Sequence, residues 1–161
     1  MDEGKILVAD HQGAFVIKLI GDVRVTLCVA FDDYVEKMLM ASNFHSVVID
    51  LTEAVGIDST TLGMLAKVSI RASQRYGYRP VIVSTNPSIT RLIDSMGFGA
   101  VFDIRTSWPQ TAEDLISLPV VHCGEDIVRQ RVIEAHRLLM SMNDDNRQRF
   151  TELVTTLEGP A

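Results

Sequence analysis

The chain has 161 residues, of which 47% are hydrophobic and 22% are charged, and its formal net charge is −6. This length and composition predict one globular domain with an appendage, and they exclude a disordered or collagen-like chain. The excess of acidic residues argues against binding to nucleic acid or to an anionic bilayer, because both need a basic protein surface.

The first part of the chain predicts a hairpin, a helix and a buried strand. Residues 5–10 and 14–20 are apolar runs rich in β-branched side chains, and Gly13 between them suits a tight connection. Apolar residues recur at spacings of three and four over residues 24–41, which is typical of a helix that lies on a sheet. Residues 46–51 form a nearly continuous apolar run, as expected of a strand covered on both faces.

Helices and strands then alternate. Residues 52–58 are predicted as a loop and residues 59–75 as a helix. The elements predicted after this helix are a strand over 80–85, a helix over 89–96, a strand over 101–104 and a helix over 111–118. A hairpin followed by such alternation implies an α/β fold, with a mixed sheet and helices packed against it.

We expect residues 1–118 to form this domain and residues 119–161 to form a helical extension. Apolar residues advance by threes and fours from Val128 to Met142 and again from Phe150 to Leu157, which favours a helical hairpin or one kinked helix. The extension either covers part of the core or offers a second docking surface or a dimer contact. Its Leu and Met cluster at 138–142 suits either role.

Few residues suggest metal binding or catalysis. The four histidines, His11, His45, His122 and His136, lie on different predicted elements, and none is three or four residues from another His or a Cys. The chain has no glycine-rich nucleotide motif and no G-x-S-x-G motif. We therefore expect no metal, no cofactor and no enzymatic activity.

The cysteines and the amino terminus indicate the compartment. Cys28 lies inside an apolar run, where a buried thiol is usual, and Cys123 is the only other cysteine. The amino terminus has no basic region followed by an apolar core, and the apolar runs are far shorter than the roughly 18 residues of a membrane helix. A reduced, cytoplasmic protein without a membrane partner is expected.

Polar residues concentrate in Gly56-Ile57-Asp58-Ser59-Thr60-Thr61-Leu62-Gly63, where the second helix is predicted to begin. Asp58 or Ser59 can cap that helix by accepting a hydrogen bond from a free backbone N–H. A hydroxyl at a helix amino terminus is also a place where a covalent phosphate fits without disrupting the fold. The residues alone leave both roles open.

The segment V-V-I-D-L-T-E-A-V-G-I-D-S-T-T-L-G-M-L resembles the strand-loop-helix signature of the STAS domain of bacterial anti-sigma-factor antagonists. The strand ending in L-I-G-D-V and the helix L-I-D-S-M-G-F at 92–98 are also similar to that family, and the resemblance covers residues 5–118. It implies a STAS fold and a partner switch. The unmodified domain would bind an anti-sigma factor, a serine kinase would abolish binding, and a phosphatase would restore it.

The resemblance also implies roles for individual residues. Ser59 would be phosphorylated, with Thr60 as a rival acceptor because Thr60-Thr61 replaces the usual small residues. The residues implied to contact the partner are Asp50, Thr52, Glu53, Gly56, Ile57, Asp58, Ser59, Thr60 and Leu62. Two alternatives stay open: a STAS regulatory or scaffold module that binds another protein or a small ligand at the same loop, and a second partner on the carboxy-terminal helices.

Overall fold

The computed structural model of the chain describes residues 3–108 and 114–159, and these residues form one six-stranded sheet and five α-helices. The strands are β1 (Lys5–His11), β2 (Ala14–Val23), β3 (Ser46–Ile57), β4 (Val81–Val83), β5 (Asp103–Arg105) and β6 (Ile116–Ser117). The helices are α1 (Cys28–Met40), α2 (Ser59–Tyr76), α3 (Pro87–Ser95), α4 (Glu125–Met142) and α5 (Asp144–Glu158).

The sheet is mixed, with the strand order β5-β4-β3-β2-β1-β6. β1 is antiparallel to β2 and to β6, whereas β2, β3, β4 and β5 pair in parallel, each with the next. Gln12 and Gly13 connect β1 to β2, and both have the positive φ of a two-residue hairpin turn. A side chain at Gly13 would also collide with the carbonyl oxygen of Asn43. The predicted α/β class and opening hairpin are confirmed.

β3 is longer than the sequence predicts, and the predicted loop over residues 52–58 is wrong for all but its last residue. β3 continues to Ile57 because it pairs with β2 as far as Val23, across two shifts in register. These irregularities obscure the alternation of buried and exposed residues that identifies a strand. The segment that follows Leu51, in which Thr52, Glu53 and Val55 are exposed, is therefore held by sheet hydrogen bonds.

The helix predicted over residues 111–118 is also wrong for residues 114–118, which the structure describes. Residues 111–113 lie outside the described part of the chain. Asp114 has a φ of 58°, which a helix does not accommodate, and Ile116 and Ser117 pair with β1. This short strand carries an exposed isoleucine, so it lacks the buried periodicity by which strands are recognised.

The carboxy-terminal residues form a helical hairpin, one of the two arrangements that the sequence favours. Asn143 separates α4 from α5 with an extended backbone, and its side chain caps α5 by accepting a hydrogen bond from the Asn146 amide. Ala135, Leu139 and Phe150 of this helical pair belong to the same buried cluster as the sheet, α1, α2 and α3. The extension thus covers part of the core. Within the described ranges, no helix has the length and apolarity to cross a membrane.

Candidate functional site

Asp58 is held at the junction of β3 and α2. Its backbone amide donates to the carbonyl oxygen of Val23 at 3.2 Å, which continues the pairing of β3 with β2. Its carboxylate Oδ1 accepts a hydrogen bond from the Thr61 amide at 2.9 Å. Asp58 is therefore the cap of α2, as the sequence allowed, and Ser59 is the first residue of the helix.

The Ser59 hydroxyl has a partner that lies far away in the sequence. Its Oγ is 2.7 Å from Nε2 of His136 in α4, while Nδ1 of the same ring is 2.7 Å from the carbonyl oxygen of Val132. Because a carbonyl only accepts, Nδ1 carries the proton, and Nε2 of a neutral imidazole then accepts from the Ser59 hydroxyl.

His136 is buried, being only 1% exposed. The edge of its ring faces Phe150 of α5, with the ring centroids 5.0 Å apart, and its neighbours Ala135 and Leu139 are fully buried. The pairing of His136 with Ser59 was not predicted from the sequence, because 77 residues separate them. The available signal was a polar ring inside the apolar stripe of a predicted helix.

Ser59 begins a row of residues on α2 that faces α4. Ser59, Gly63 and Lys67 are four residues apart, so they lie on one side of the helix. A Cβ on Gly63 would lie 2.6 Å from the Cβ of Ala135 and closer still to the Ala135 carbonyl oxygen. We call the row of Ser59, Gly63 and Lys67, together with Glu134, Ala135 and His136 of α4, the α2–α4 contact. The contact is tight because Gly63 has no side chain.

Lys67 brings a charge into this contact, where it is only 3% exposed. Its Nζ is 2.7 Å from Asp32 Oδ1, 2.6 Å from Glu36 Oε1 and 2.6 Å from Glu134 Oε1. Burial by itself lowers the pKa of Lys67, but the hydrogen bonds to the three carboxylates outweigh it and raise the pKa above its ordinary value. The lysine therefore stays charged and links α1, α2 and α4.

Asp32 is the buried carboxylate of this cluster. Burial raises the pKa of Asp32, although the hydrogen bond from Lys67 opposes that shift. Arg131 of α4 also contacts this carboxylate, with its guanidinium Nε 2.9 Å from Asp32 Oδ2. With Arg131 and Glu134, α4 therefore supplies both a cation and an anion to the cluster. Two charged groups of α4 thus fix its position against α1 and α2.

β2, β3 and the start of α2 carry a different, open surface. We call Asp22, Asp50, Glu53 and Asp58 the acidic rim. Asp22 lies near the end of β2, Asp50 and Glu53 lie within β3, Asp58 caps α2, and all four are half-buried or exposed. Lys18 pairs with Glu53 and lies 4.0 Å from Asp50, and Arg24 Nε is 3.0 Å from Asp22 Oδ2. Acidic groups still outnumber the cations there.

The residues implied to contact a partner differ in exposure. Thr52 and Glu53 are exposed and Asp50, Gly56, Asp58 and Ser59 are partly exposed, whereas Ile57, Thr60 and Leu62 are buried. Thr60, the rival acceptor, is 5% exposed and is thus less accessible than Ser59. Val55, which the sequence analysis did not single out, is 70% exposed between these residues. The roles of these side chains in binding stay predictions.

Cys28 is a buried thiol near two carboxylates. Burial and the nearby Asp58 and Asp32 carboxylates raise the pKa of Cys28 to about 11, so its thiol is protonated at neutral pH. Among residues 3–108 and 114–159, no three His, Cys, Asp or Glu side chains are grouped so that they could hold a metal ion.

Comparisons with known proteins bear on this site. A family model described as the STAS domain matches residues 5–111. A crystal structure titled as an anti-sigma factor antagonist from Mycobacterium paratuberculosis aligns with a TM-score of 0.54 and 21% identity, over 65% of this chain and 87% of that chain. This likeness supports the fold. A search among curated proteins finds no match. The helical pair, including His136, lies outside the residues that the family model matches.

Proposed function

Because the chain belongs to the STAS domain family, we propose that it is a protein-binding module that acts as an anti-sigma-factor antagonist and is switched off by phosphorylation of Ser59. Its partners in this scheme are an anti-sigma factor, a serine kinase and a phosphatase. The observation that carries the proposal is the placement of the Ser59 hydroxyl on the first residue of α2, directly after the Asp58 cap and beside the acidic rim.

The charge of the rim indicates the kind of surface that would bind there. Asp22, Glu53 and Asp58 present carboxylates at or near the surface, where Arg24 pairs with Asp22 and Lys18 pairs with Glu53. Complementary charges guide a partner to its site and exclude partners of the wrong sign. A partner surface with Arg or Lys residues therefore fits this rim.

Phosphorylation would change this surface strongly. A phosphate on Ser59 adds about −1.5 to −2 charges beside Asp58. Burying that charge against an apolar part of a partner, such as one packed on Val55, is unfavourable, and about 1.4 kcal/mol lowers the affinity tenfold. The free amides and the dipole at the start of α2 interact favourably with the anion, so the sheet of the unbound domain can keep its structure. The switch therefore acts on binding and needs no refolding of the sheet.

Ser59 and His136 are the residue types of a catalytic dyad and lie at hydrogen-bond distance, but we propose that they do not act as one. In hydrolases of that kind a carboxylate on Nδ1 stabilises the charged imidazole, whereas Nδ1 of His136 faces the Val132 carbonyl oxygen. His136 is also buried against Phe150. The hydrogen bond joins two helices and leaves no room for a substrate at the imidazole.

Paired variants test the proposed function. We expect Ser59→Ala to retain an anti-sigma factor, identified by mass spectrometry, in affinity capture from the native cell extract, and Ser59→Asp to lose most of it. Wild-type protein from the same cells should carry a single phosphate at Ser59. Thr60→Ala is the matched control for the site of modification, since it should leave the phosphate on Ser59 unchanged. Equal capture by the alanine and aspartate variants, or a phosphate at Thr60, would contradict the proposal.

A further inference from the structure

The helical pair occupies the same part of α2 on which the proposed switch depends. α4 contacts α2 through Ser59, Gly63 and Lys67, so the contact begins at the residue proposed for modification. Charged groups of α4 and the close approach at Gly63 hold the middle of this contact. At its Ser59 end, the structure records one polar link between the helices, the bond to His136.

That bond needs the Ser59 hydroxyl proton. Phosphorylation transfers a phosphoryl group from a nucleoside triphosphate to Ser59 Oγ. The bond from phosphorus to the leaving nucleoside diphosphate breaks, the bond from phosphorus to Oγ forms, and the hydroxyl proton passes to a base of the kinase. The ester oxygen that results has no proton and cannot donate to His136 Nε2. The modified serine and the hydrogen bond therefore exclude one another.

The surroundings of His136 make the loss of this donor unfavourable. The ring is 1% exposed and faces Phe150, and its Nε2 is paired with the Ser59 hydroxyl while α4 stays in place. A buried acceptor without a partner destabilises the arrangement that buries it. The phosphate itself would meet the Asp58 carboxylate on one side and the apolar side of α4 on the other. Both effects favour separation of α4 from the start of α2.

We propose that α4 and α5 are an intramolecular cover of α2, closed by the Ser59–His136 hydrogen bond and loosened when Ser59 is phosphorylated. This inference rests on the proposed function, from which it takes the phosphorylation of Ser59, and it adds how that phosphate acts on α4. The cover remains tied to the domain elsewhere, because Asn146 donates to the Met96 carbonyl oxygen at 2.8 Å and Lys67 joins α1 to α4. The loosening is therefore local to the segment of α4 around His136.

Hydrogen–deuterium exchange of the full chain tests this inference without any partner. Phosphoserine is installed at position 59 by genetic-code expansion, and the exchange of α4 peptides around residues 132–139 is followed by mass spectrometry. We expect these amides to exchange about tenfold faster or more than in the wild type, as the loss of one buried hydrogen bond implies. Peptides of β2 and β3 serve as the internal reference and should not change.

Two variants separate the hydrogen bond from other effects of the phosphate. His136→Phe keeps an aromatic ring but no acceptor, so it should speed α4 exchange by itself, and phosphoserine at position 59 should then add little. His136→Gln keeps an amide within reach of Ser59 and should resemble the wild type when Ser59 is unmodified. Ser141→Ala is the matched control, because its hydroxyl donates to the Leu138 carbonyl oxygen of its own helix. It should leave the exchange unchanged.

Several results would overturn the inference. Unchanged exchange in α4 after phosphorylation would show that the bond does not hold the cover, and slower exchange would show that the phosphate binds His136 and tightens it. An equal increase in β2 and β3 would show a general loss of stability. None of these depends on an anti-sigma factor, so failure of the cover and failure of the proposed function can be distinguished.

Discussion

Asp58 and Ser59 are neighbours in the chain, but their side chains belong to two different surfaces, one open to solvent and one buried between helices. Asp58 caps α2 and lies on the acidic rim, where charged groups reach solvent. Ser59 bonds to His136 in the α2–α4 contact, where Lys67 is almost fully buried among carboxylates. Ion pairs on an exposed rim contribute little to stability, whereas removal of one partner from a buried cluster is strongly destabilising. Adjacent residues of one motif can therefore serve binding and stability separately.

The largest expected effect comes from the buried charge. Lys67→Met should lower the free energy of unfolding by about 3 kcal/mol, because it leaves the Asp32 carboxylate buried and with Arg131 as its remaining cation. Chemical denaturation, followed by circular dichroism, measures this change. α4 should lose its protection from hydrogen exchange first, since Glu134 no longer has its partner on α2.

Lys18→Met is the matched control on the acidic rim. Lys18 pairs with the exposed Glu53, so its removal should change the free energy of unfolding by less than about 1 kcal/mol. If the two lysine variants were equally stable, the contrast between a buried contact and a solvated rim would be wrong.

A smaller effect is expected where the two helices approach most closely. Gly63→Ala places a methyl group against the backbone of Ala135, and such overpacking costs about 1–3 kcal/mol. Thermal unfolding of the variant should show a lower Tm, and α4 should exchange faster. Gly99→Ala is the control, since nothing lies within 4 Å of its Cβ position. Equal Tm values for the two variants would mean that α4 does not pack on Gly63.

The sequence predicted the elements whose signal is local. The hairpin of β1 and β2 follows from two apolar, β-branched runs on either side of a turn. The helix α2 and the helical pair follow from apolar residues at spacings of three and four, and these residues pack into the core. The end of β3 was missed because the register shifts beside Gly21 interrupt the alternation. β6 was missed because its two residues form no periodic pattern.

In the candidate site, too, the local contacts could be predicted from the sequence and the long-range contacts could not. The cap at Asp58 was predictable because a cap depends on residues within one turn of helix. The partners of Ser59 and Lys67 were not, since His136 and Glu134 lie about 70 residues further along the chain. Only the packing of α4 brings them together, and neither a lone histidine nor a lysine in a helix indicates by itself that it is buried.

The smallest expected effect comes from Asp58, whose variants separate its role as the cap of α2 from its charge on the acidic rim. Asp58→Ala removes the acceptor for the Thr61 amide and should lower the free energy of unfolding by about 1 kcal/mol, whereas Asp58→Asn keeps a capping oxygen and should cost less. Asn86→Ala, which removes the matching cap of α3, should resemble Asp58→Ala in denaturation. The variants should rank differently in capture of the partner than in denaturation. Both Asp58 variants lose a rim charge and should bind a basic partner more weakly, whereas Asn86→Ala should bind normally. If Asp58→Asn bound as well as the wild type, the rim charge would have no part in recognition, and Asp58 would serve α2 alone.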